Sequence, residues 1–135
     1  MVGLHIGCAL LVWALAKRLG AKPAGALWGA ALFGLYPLCT EPVNYVSSRS
    51  ESLAVLFQLV ALYCFLTGDT LRRRGVGWLS FMLALLSKSV AFVLPAVLIA
   101  YEVFWRGGRI QWERHAPYWA LSGVYLSVIF VNRFL

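Results

Sequence analysis

The chain has 135 residues, of which 61% are hydrophobic and 13% charged, and its formal net charge is +7. A soluble domain averages about 45–50% apolar and about 25% charged residues, so this composition excludes an ordinary soluble domain. Because the cations flank apolar runs rather than cluster on one soluble face, we expect membrane lipids with anionic headgroups as partners, and no nucleic acid.

Six apolar runs follow one another along the chain, at residues 2–16, 24–38, 52–66, 76–86, 90–105 and 116–131. Lipid offers no hydrogen bonds to the backbone, so these runs are predicted to be helices. Most are shorter than the roughly 20 residues that span a bilayer, but aromatic residues at their ends extend them through the interfaces. We therefore predict an all-α, polytopic transmembrane helix bundle with about six short spans, in which residues 1–135 form a single transmembrane domain.

Basic residues cluster in every second connection between these runs. The cations of the first, third and fifth connections are Lys17, Arg18, Lys22, Arg72, Arg73, Arg74, Arg106, Arg109 and Arg114. The other connections hold only Arg49 and Lys88, and Arg133 stands near the end of the sequence. This positive-inside pattern places the arginine-rich connections in the cytoplasm, and Arg49 and Lys88 on the outer face.

The fourth and fifth runs allow two interpretations. One span made of a broken helix would leave Lys88 at mid-membrane, where a lysine costs about 2.5–3.5 kcal/mol on insertion scales. Two separate spans place Lys88 in an outer turn and keep the charge asymmetry, so we favour two spans. Pro95 lies within the fifth run and is expected to kink that helix.

Four charged residues meet at the predicted outer face: Glu41, Arg49, Glu51 and Lys88. Cations stabilise a leaving phosphate, and a carboxylate can deprotonate an acceptor hydroxyl or hold a metal ion. Structural alternatives stay open for each residue. Glu51 fits a capping box that begins at Ser48, Lys88 can snorkel to the interface, Arg49 can pair with Glu41 or contact headgroups, and Glu41 can simply be solvated.

Two ionisable residues lie inside apolar runs. His5 is interpreted as structural, and Glu102 is expected to pair with Arg106 at the i,i+4 spacing of a helix. The three cysteines have no metal-ligand spacing, so they are interpreted as packing residues and no metal-binding cluster is predicted.

Two stretches resemble motifs of a known enzyme group. Residues 32–53, LFGLYPLCTEPVNYVSSRSESL, resemble the pattern LFxxHPxxTEAVxxxxxRxxLL, and residues 83–95, LALLSKSVAFVLP, are similar to LALLSKExAxxLP. Both patterns occur in GT-C-type membrane glycosyltransferases. This superfamily includes bacterial polytopic proteins with C-terminal tetratricopeptide repeats and the eukaryotic transmembrane and tetratricopeptide-repeat O-mannosyltransferases.

The resemblance implies a function and a location. The donor would be a polyprenyl-phosphate-linked sugar, transferred to a protein or another acceptor on the outer face by an inverting displacement. Arg49 and Lys88 would contact the lipid phosphate, and Glu41 or Glu51 would be the catalytic carboxylate, orienting the acceptor or holding a divalent cation as cofactor. We expect an integral multi-pass protein of the bacterial inner membrane.

The sequence also departs from the family pattern. Tyr36 stands where the family has histidine, and Ser89 where it has glutamate. The family's first span, its acidic outer loop and its tetratricopeptide repeats have no counterpart, so a fragment is expected and enzymatic activity of this chain stays open. The alternatives are a non-catalytic membrane remnant or partner-binding protein and, as a weaker candidate, a small transporter with polar residues at mid-membrane.

Overall fold

The computed structural model describes residues 2–35 and 49–135, with the side chain of residue 49 left aside. The α-helices in these ranges are α1 (Val2–Arg18), α2 (Pro23–Leu35), α3 (Arg49–Thr67), α4 (Leu71–Ser87), α5 (Leu94–Trp105) and α6 (Trp112–Phe134). A 3₁₀ helix, Ser89–Val93, joins α4 to α5, and the described ranges contain no strand. The all-α prediction is confirmed, and each predicted apolar run corresponds to a helical segment.

Among the described helices, one is long and apolar enough to cross a membrane. It is the Ser50–Thr67 segment of α3, with 18 residues and a mean hydropathy of 1.6. The helical segments Pro23–Leu35 and Ser89–Trp105 are apolar but shorter. The arrangement as about six membrane spans therefore stays a prediction.

The core lies where α3, α4 and α6 meet the segment formed by the 3₁₀ helix and α5. Its buried side chains are Ala61, Phe65, Phe81, Ala84, Leu85, Ala91, Leu94, Leu98 and Tyr118. The most extensive contact between two helices is that of α3 with α4. The short connection after Thr67 reverses the chain, so that α4 packs back along α3. Gly77 lets them approach closely, because a Cβ there would lie 2.8 Å from the Tyr118 hydroxyl oxygen and 3.1 Å from the Cys64 Cβ.

The basic connections lie at one end of the helices. The Trp105 indole donates to the Leu19 carbonyl at 3.2 Å, which joins the end of α5 to the end of α1. The Arg114 guanidinium donates to the Phe65 carbonyl at 2.6 Å, which joins the start of α6 to the end of α3. We call this the basic end, made of residues 17–22, 72–74 and 106–114. The start of α1 and α3 and the end of α4 form the opposite end.

Lys88 marks the break between α4 and α5. Its backbone is extended, with φ −159° and ψ 138°, and its N–H still bonds to the Ala84 carbonyl of α4. The prediction that the fourth and fifth runs form two helices is confirmed. Pro95 lies in the first turn of α5 rather than inside the helix, at a position where a missing N–H costs no hydrogen bond, so the predicted kink within α5 is not needed.

Large apolar side chains cover much of the surface. Trp28 on α2, Phe104 on α5 and Phe130 on α6 are 70%, 84% and 63% exposed. Similar residues recur on every described helix, whereas a soluble monomer rarely exposes contiguous apolar patches larger than a few hundred Å². This surface has the character expected of a chain that contacts lipid or other apolar partners.

Candidate functional site

A cleft of about 280 Å³ opens at the opposite end, away from the basic connections. Its walls come from α1, α2, α3 and the segment that starts at Lys88. The lining residues are His5, Cys8, Phe33, Glu51, Ser52, Ala54, Val55, Gln58, Lys88, Val90 and Ala91. Most of the wall is apolar, so the polar groups are concentrated on a few side chains that can orient a ligand.

Glu51 and Lys88 form an ion pair at the cleft, between the Glu51 Oε1 and the Lys88 Nζ. Glu51 lies in the first turn of α3, and Lys88 lies in the break after α4. Both side chains are partly exposed, at 43% and 35%. A pair with this exposure contributes little to stability, about 0–1 kcal/mol, so it can be opened by a competing ligand at small cost.

His5 and Phe33 form one wall of the cleft. The His5 Nε2–H donates to the Gly34 carbonyl at 2.9 Å, and the ring stacks on Phe33 with centroids 5.8 Å apart. A carbonyl oxygen only accepts, so this nitrogen carries a proton. The two contacts fix the ring between α1 and α2, in agreement with the structural interpretation of His5.

On α3, the cleft residues follow the period of a helix. Glu51, Val55 and Gln58 are spaced i, i+4 and i+7, so they lie on one face. Gln58 is the polar side chain of this row further along α3 from Glu51. This i, i+4, i+7 spacing is visible in the sequence alone, but the sequence analysis did not predict from it that Gln58 lines the cleft.

Two of the four predicted site residues are thus brought together, Glu51 and Lys88. Glu41 lies outside the described residues, and so does the side chain of Arg49, whose backbone begins α3. Ser48 of the predicted capping box also lies outside the described ranges. The catalytic and phosphate-binding roles of the four predicted site residues stay predictions.

A second polar cluster lies at the basic end, where the side chains of Glu102 and His115 are fully buried. The Glu102 Oε2 accepts from the His115 Nε2 at 2.8 Å and from the Gln111 backbone N–H at 3.0 Å. The predicted Glu102–Arg106 pair is also present, but its atoms are 3.9 Å apart. The shorter contact shows that His115, which the sequence analysis did not single out, is the main side-chain partner of Glu102.

This cluster closes the connection between α5 and α6. The Gly108 N–H donates to the Glu102 backbone carbonyl at 3.2 Å, and Gly107 and Gly108 have φ of 73° and 84°, which let the chain reverse. The Glu102 Oε1 and the His115 Nδ1 are buried without a hydrogen-bond partner in the described residues. We infer that the Glu102–His115 pair holds the end of α5 and the start of α6 together.

The described residues contain no group of three or more histidine, cysteine or acidic side chains that could hold a metal ion. At the cleft, Glu51 is the carboxylate that this part of the chain supplies. A divalent cation bound there would need its further oxygen ligands from a substrate, from water or from residues outside the described ranges.

No family model matches the chain, and no curated protein or solved structure is significantly similar to it. The resemblance to GT-C-type glycosyltransferases therefore stays a prediction, and the proposed function rests on the geometry of the cleft.

Proposed function

We propose that this chain is a membrane-embedded part of a glycosyltransferase that uses a polyprenyl-phosphate-linked sugar on the outer face of the membrane. One observation supports the proposal more than any other. Glu51 of α3 and Lys88 of the break after α4 meet as an acid and a base at the mouth of a mostly apolar cleft. A sugar phosphate on a lipid needs this combination, a cation for the phosphate beside an apolar wall for the chain.

The proposal includes the placement in the membrane. The helices cross the bilayer with the basic end in the cytoplasm and the cleft at the outer leaflet. The exposed apolar side chains of α2, α5 and α6 support this placement, because lipid would cover them. The separation of the arginine-rich connections from Lys88 supports the orientation.

In the proposed reaction, donor binding and base activation are linked. The Lys88 ammonium leaves the Glu51 carboxylate to bind the donor phosphate, which frees that carboxylate to accept a proton. The acceptor hydroxyl then attacks the anomeric carbon, its proton passes to Glu51, and the bond between that carbon and the phosphate oxygen breaks. The polyprenyl phosphate leaves while Lys88 stabilises its charge, and the configuration inverts. Arg49 and Glu41 are proposed to assist as a second cation and a second carboxylate.

Binding of a polyprenyl phosphate in nanodiscs tests this proposal. We expect Lys88→Ala to weaken binding by about 10-fold or more, since hydrogen bonds to charged groups contribute about 1.5–3 kcal/mol. Lys88→Arg should retain most of the affinity because it keeps the charge. Lys22→Ala, which removes an exposed lysine from the basic end, is the matched control and should bind like the parent. Equal binding by the parent and Lys88→Ala would refute the phosphate site.

A small transporter is the second candidate, and the fully buried Glu102–His115 pair favours it. Against it, the pair lies at the basic end and is tied to the backbone of the α5–α6 connection. Proteoliposomes distinguish the two candidates. A transporter would show ion or proton flux with the parent protein, whereas the glycosyltransferase proposal predicts no such flux. Phosphate binding without sugar transfer would instead favour a non-catalytic remnant.

A further inference from the structure

A second cavity continues the cleft along the helices. It is a groove of about 280 Å³ between α3 and the segment formed by the 3₁₀ helix and α5. Its lining residues are Gln58, Leu59, Leu62, Val90, Val93, Leu94 and Val97. Gln58 and Val90 also line the cleft that holds Glu51 and Lys88, so the two cavities adjoin.

The combined track is polar at one end only. Beyond Gln58, every lining residue is aliphatic. On α3 the track runs from Glu51 to Leu62, which corresponds to about 16 Å at the rise of an α-helix. Its outer rim is open, because Val90, Val93 and Val97 are 60%, 52% and 42% exposed. A ligand can therefore enter from the side as well as from the charged end.

We propose that the cleft and the groove form one binding track for a lipid with an anionic phosphate headgroup, whose single apolar chain lies between α3 and α5. The headgroup contacts Lys88, and the first part of the chain follows Leu59 and Leu62. This inference rests on the proposed role of Lys88 in phosphate binding. The inference adds where the apolar chain of the lipid lies. It also limits the length of chain in contact with the protein, because those contacts end where the groove ends.

The occupant follows from the shape and charge of the track. The floor of the groove is formed by one face of α3 and one face of the 3₁₀–α5 segment, and the proposal places one chain along it. The cation stands at one end of the apolar lining, as a lipid with a phosphate at its end requires. A peptide would instead leave its backbone polar groups without partners along the aliphatic wall.

A chain-length series tests the proposal. Butyl phosphate and dodecyl phosphate are titrated into the protein in nanodiscs, with Val97→Trp as the variant that fills the groove. Val103→Trp is the matched control, because Val103 lies on the same helix with nearly the same exposure, 41%, and does not line the groove. Comparing variants at each length cancels the partition of the longer chain into the bilayer.

We expect Val97→Trp to leave butyl phosphate binding unchanged and to weaken dodecyl phosphate binding by about 10-fold or more, since a buried methylene contributes about a factor of four. Val103→Trp should change neither. Leu62→Trp, which fills the groove from the α3 side, should reproduce the loss and guards against an effect peculiar to α5. An equal effect of Val97→Trp on both phosphates, or none on either, overturns the proposal.

The outcome also separates this inference from the proposed function. If Lys88→Ala binds butyl phosphate as well as the parent does, the phosphate site fails whatever the chain length. If Lys88→Ala weakens both phosphates but the groove variants have no effect, the headgroup site stands and the chain lies elsewhere. Dioleoyl phosphatidic acid tests the single-chain claim, which fails if this two-chain lipid competes as well as dodecyl phosphate.

Discussion

Replacing His115 with phenylalanine should destabilise the folded chain by about 3–5 kcal/mol, because the change leaves a buried carboxylate without its main partner. Phenylalanine keeps an aromatic ring at this position and, being larger than histidine, leaves no cavity, so the expected loss comes from the missing polar partner. The Glu102 carboxylate would keep the Gln111 N–H at 3.0 Å and the Arg106 guanidinium at 3.9 Å. Neither replaces the 2.8 Å contact with the His115 Nε2.

The opposite deletion, Glu102→Leu, leaves the Gln111 N–H and one nitrogen of His115 without an acceptor. We expect it to cost about 1–3 kcal/mol for the buried His115 nitrogen, whereas the N–H of the exposed residue Gln111 can bond to water. The double variant Glu102→Leu/His115→Phe removes both polar partners and puts two apolar side chains in contact. It should therefore be more stable than His115→Phe alone, as is common when a whole buried pair is replaced.

The assay is unfolding of the protein in detergent micelles by increasing sodium dodecyl sulfate, followed by tryptophan fluorescence, for which the chain has six tryptophans. His5→Phe is the matched control. Its ring makes one hydrogen bond to a backbone carbonyl, so it should cost about 0.5–1.5 kcal/mol. The reasoning is refuted if the costs of Glu102→Leu and His115→Phe add up to that of the double variant within about 0.5 kcal/mol, which would mean that the two side chains do not interact.

Two further predictions concern packing and orientation. Gly77→Ala should destabilise the protein by about 1–3 kcal/mol, because the added Cβ would lie 2.8 Å from the Tyr118 hydroxyl oxygen. Gly75→Ala, two residues earlier on α4 and in open space, should instead stabilise it by about 0.5–1 kcal/mol. Equal effects of the two in the unfolding assay would contradict the close contact of α3, α4 and α6. In a background without the native cysteines, Ser89→Cys should react with an impermeant thiol reagent outside the cell and Arg72→Cys only after permeabilisation. Labelling of both from the same side would exclude the proposed orientation.

The helical segments could be predicted from the sequence because the apolar runs and the polar connections alternate clearly. The separation of α4 and α5 was predicted from the cost of placing Lys88 in lipid, and the extended backbone at this residue agrees with it. The start of α5 was not predicted. Apolar composition does not distinguish a 3₁₀ turn from an α-helix, so Pro95 was assigned to a helix interior rather than to a first turn.

The polar contacts were only partly predictable, for a physical reason. The i,i+4 rule applies within one helix, and it pointed from Glu102 to Arg106. The closer partner, His115, lies beyond a reversal that Gly107 and Gly108 make possible, and no local spacing reports how far such a turn brings the chain back. Glu51 and Lys88 were predicted to share one face from the alternation of charge, but their direct contact depends on how α3 and α4 pack.

The break at Lys88 has a mechanical consequence. The α4 helix ends there and a 3₁₀ turn runs directly into α5, and a 3₁₀ stretch within a helical run often marks a hinge. A rotation of α5 about this point would widen the gap beside α3 yet move the Lys88 backbone little, since a point on the axis of a rotation stays where it is. The apolar chain of a bound lipid could then enter or leave from the side while the Lys88 ammonium group stays in contact with the phosphate.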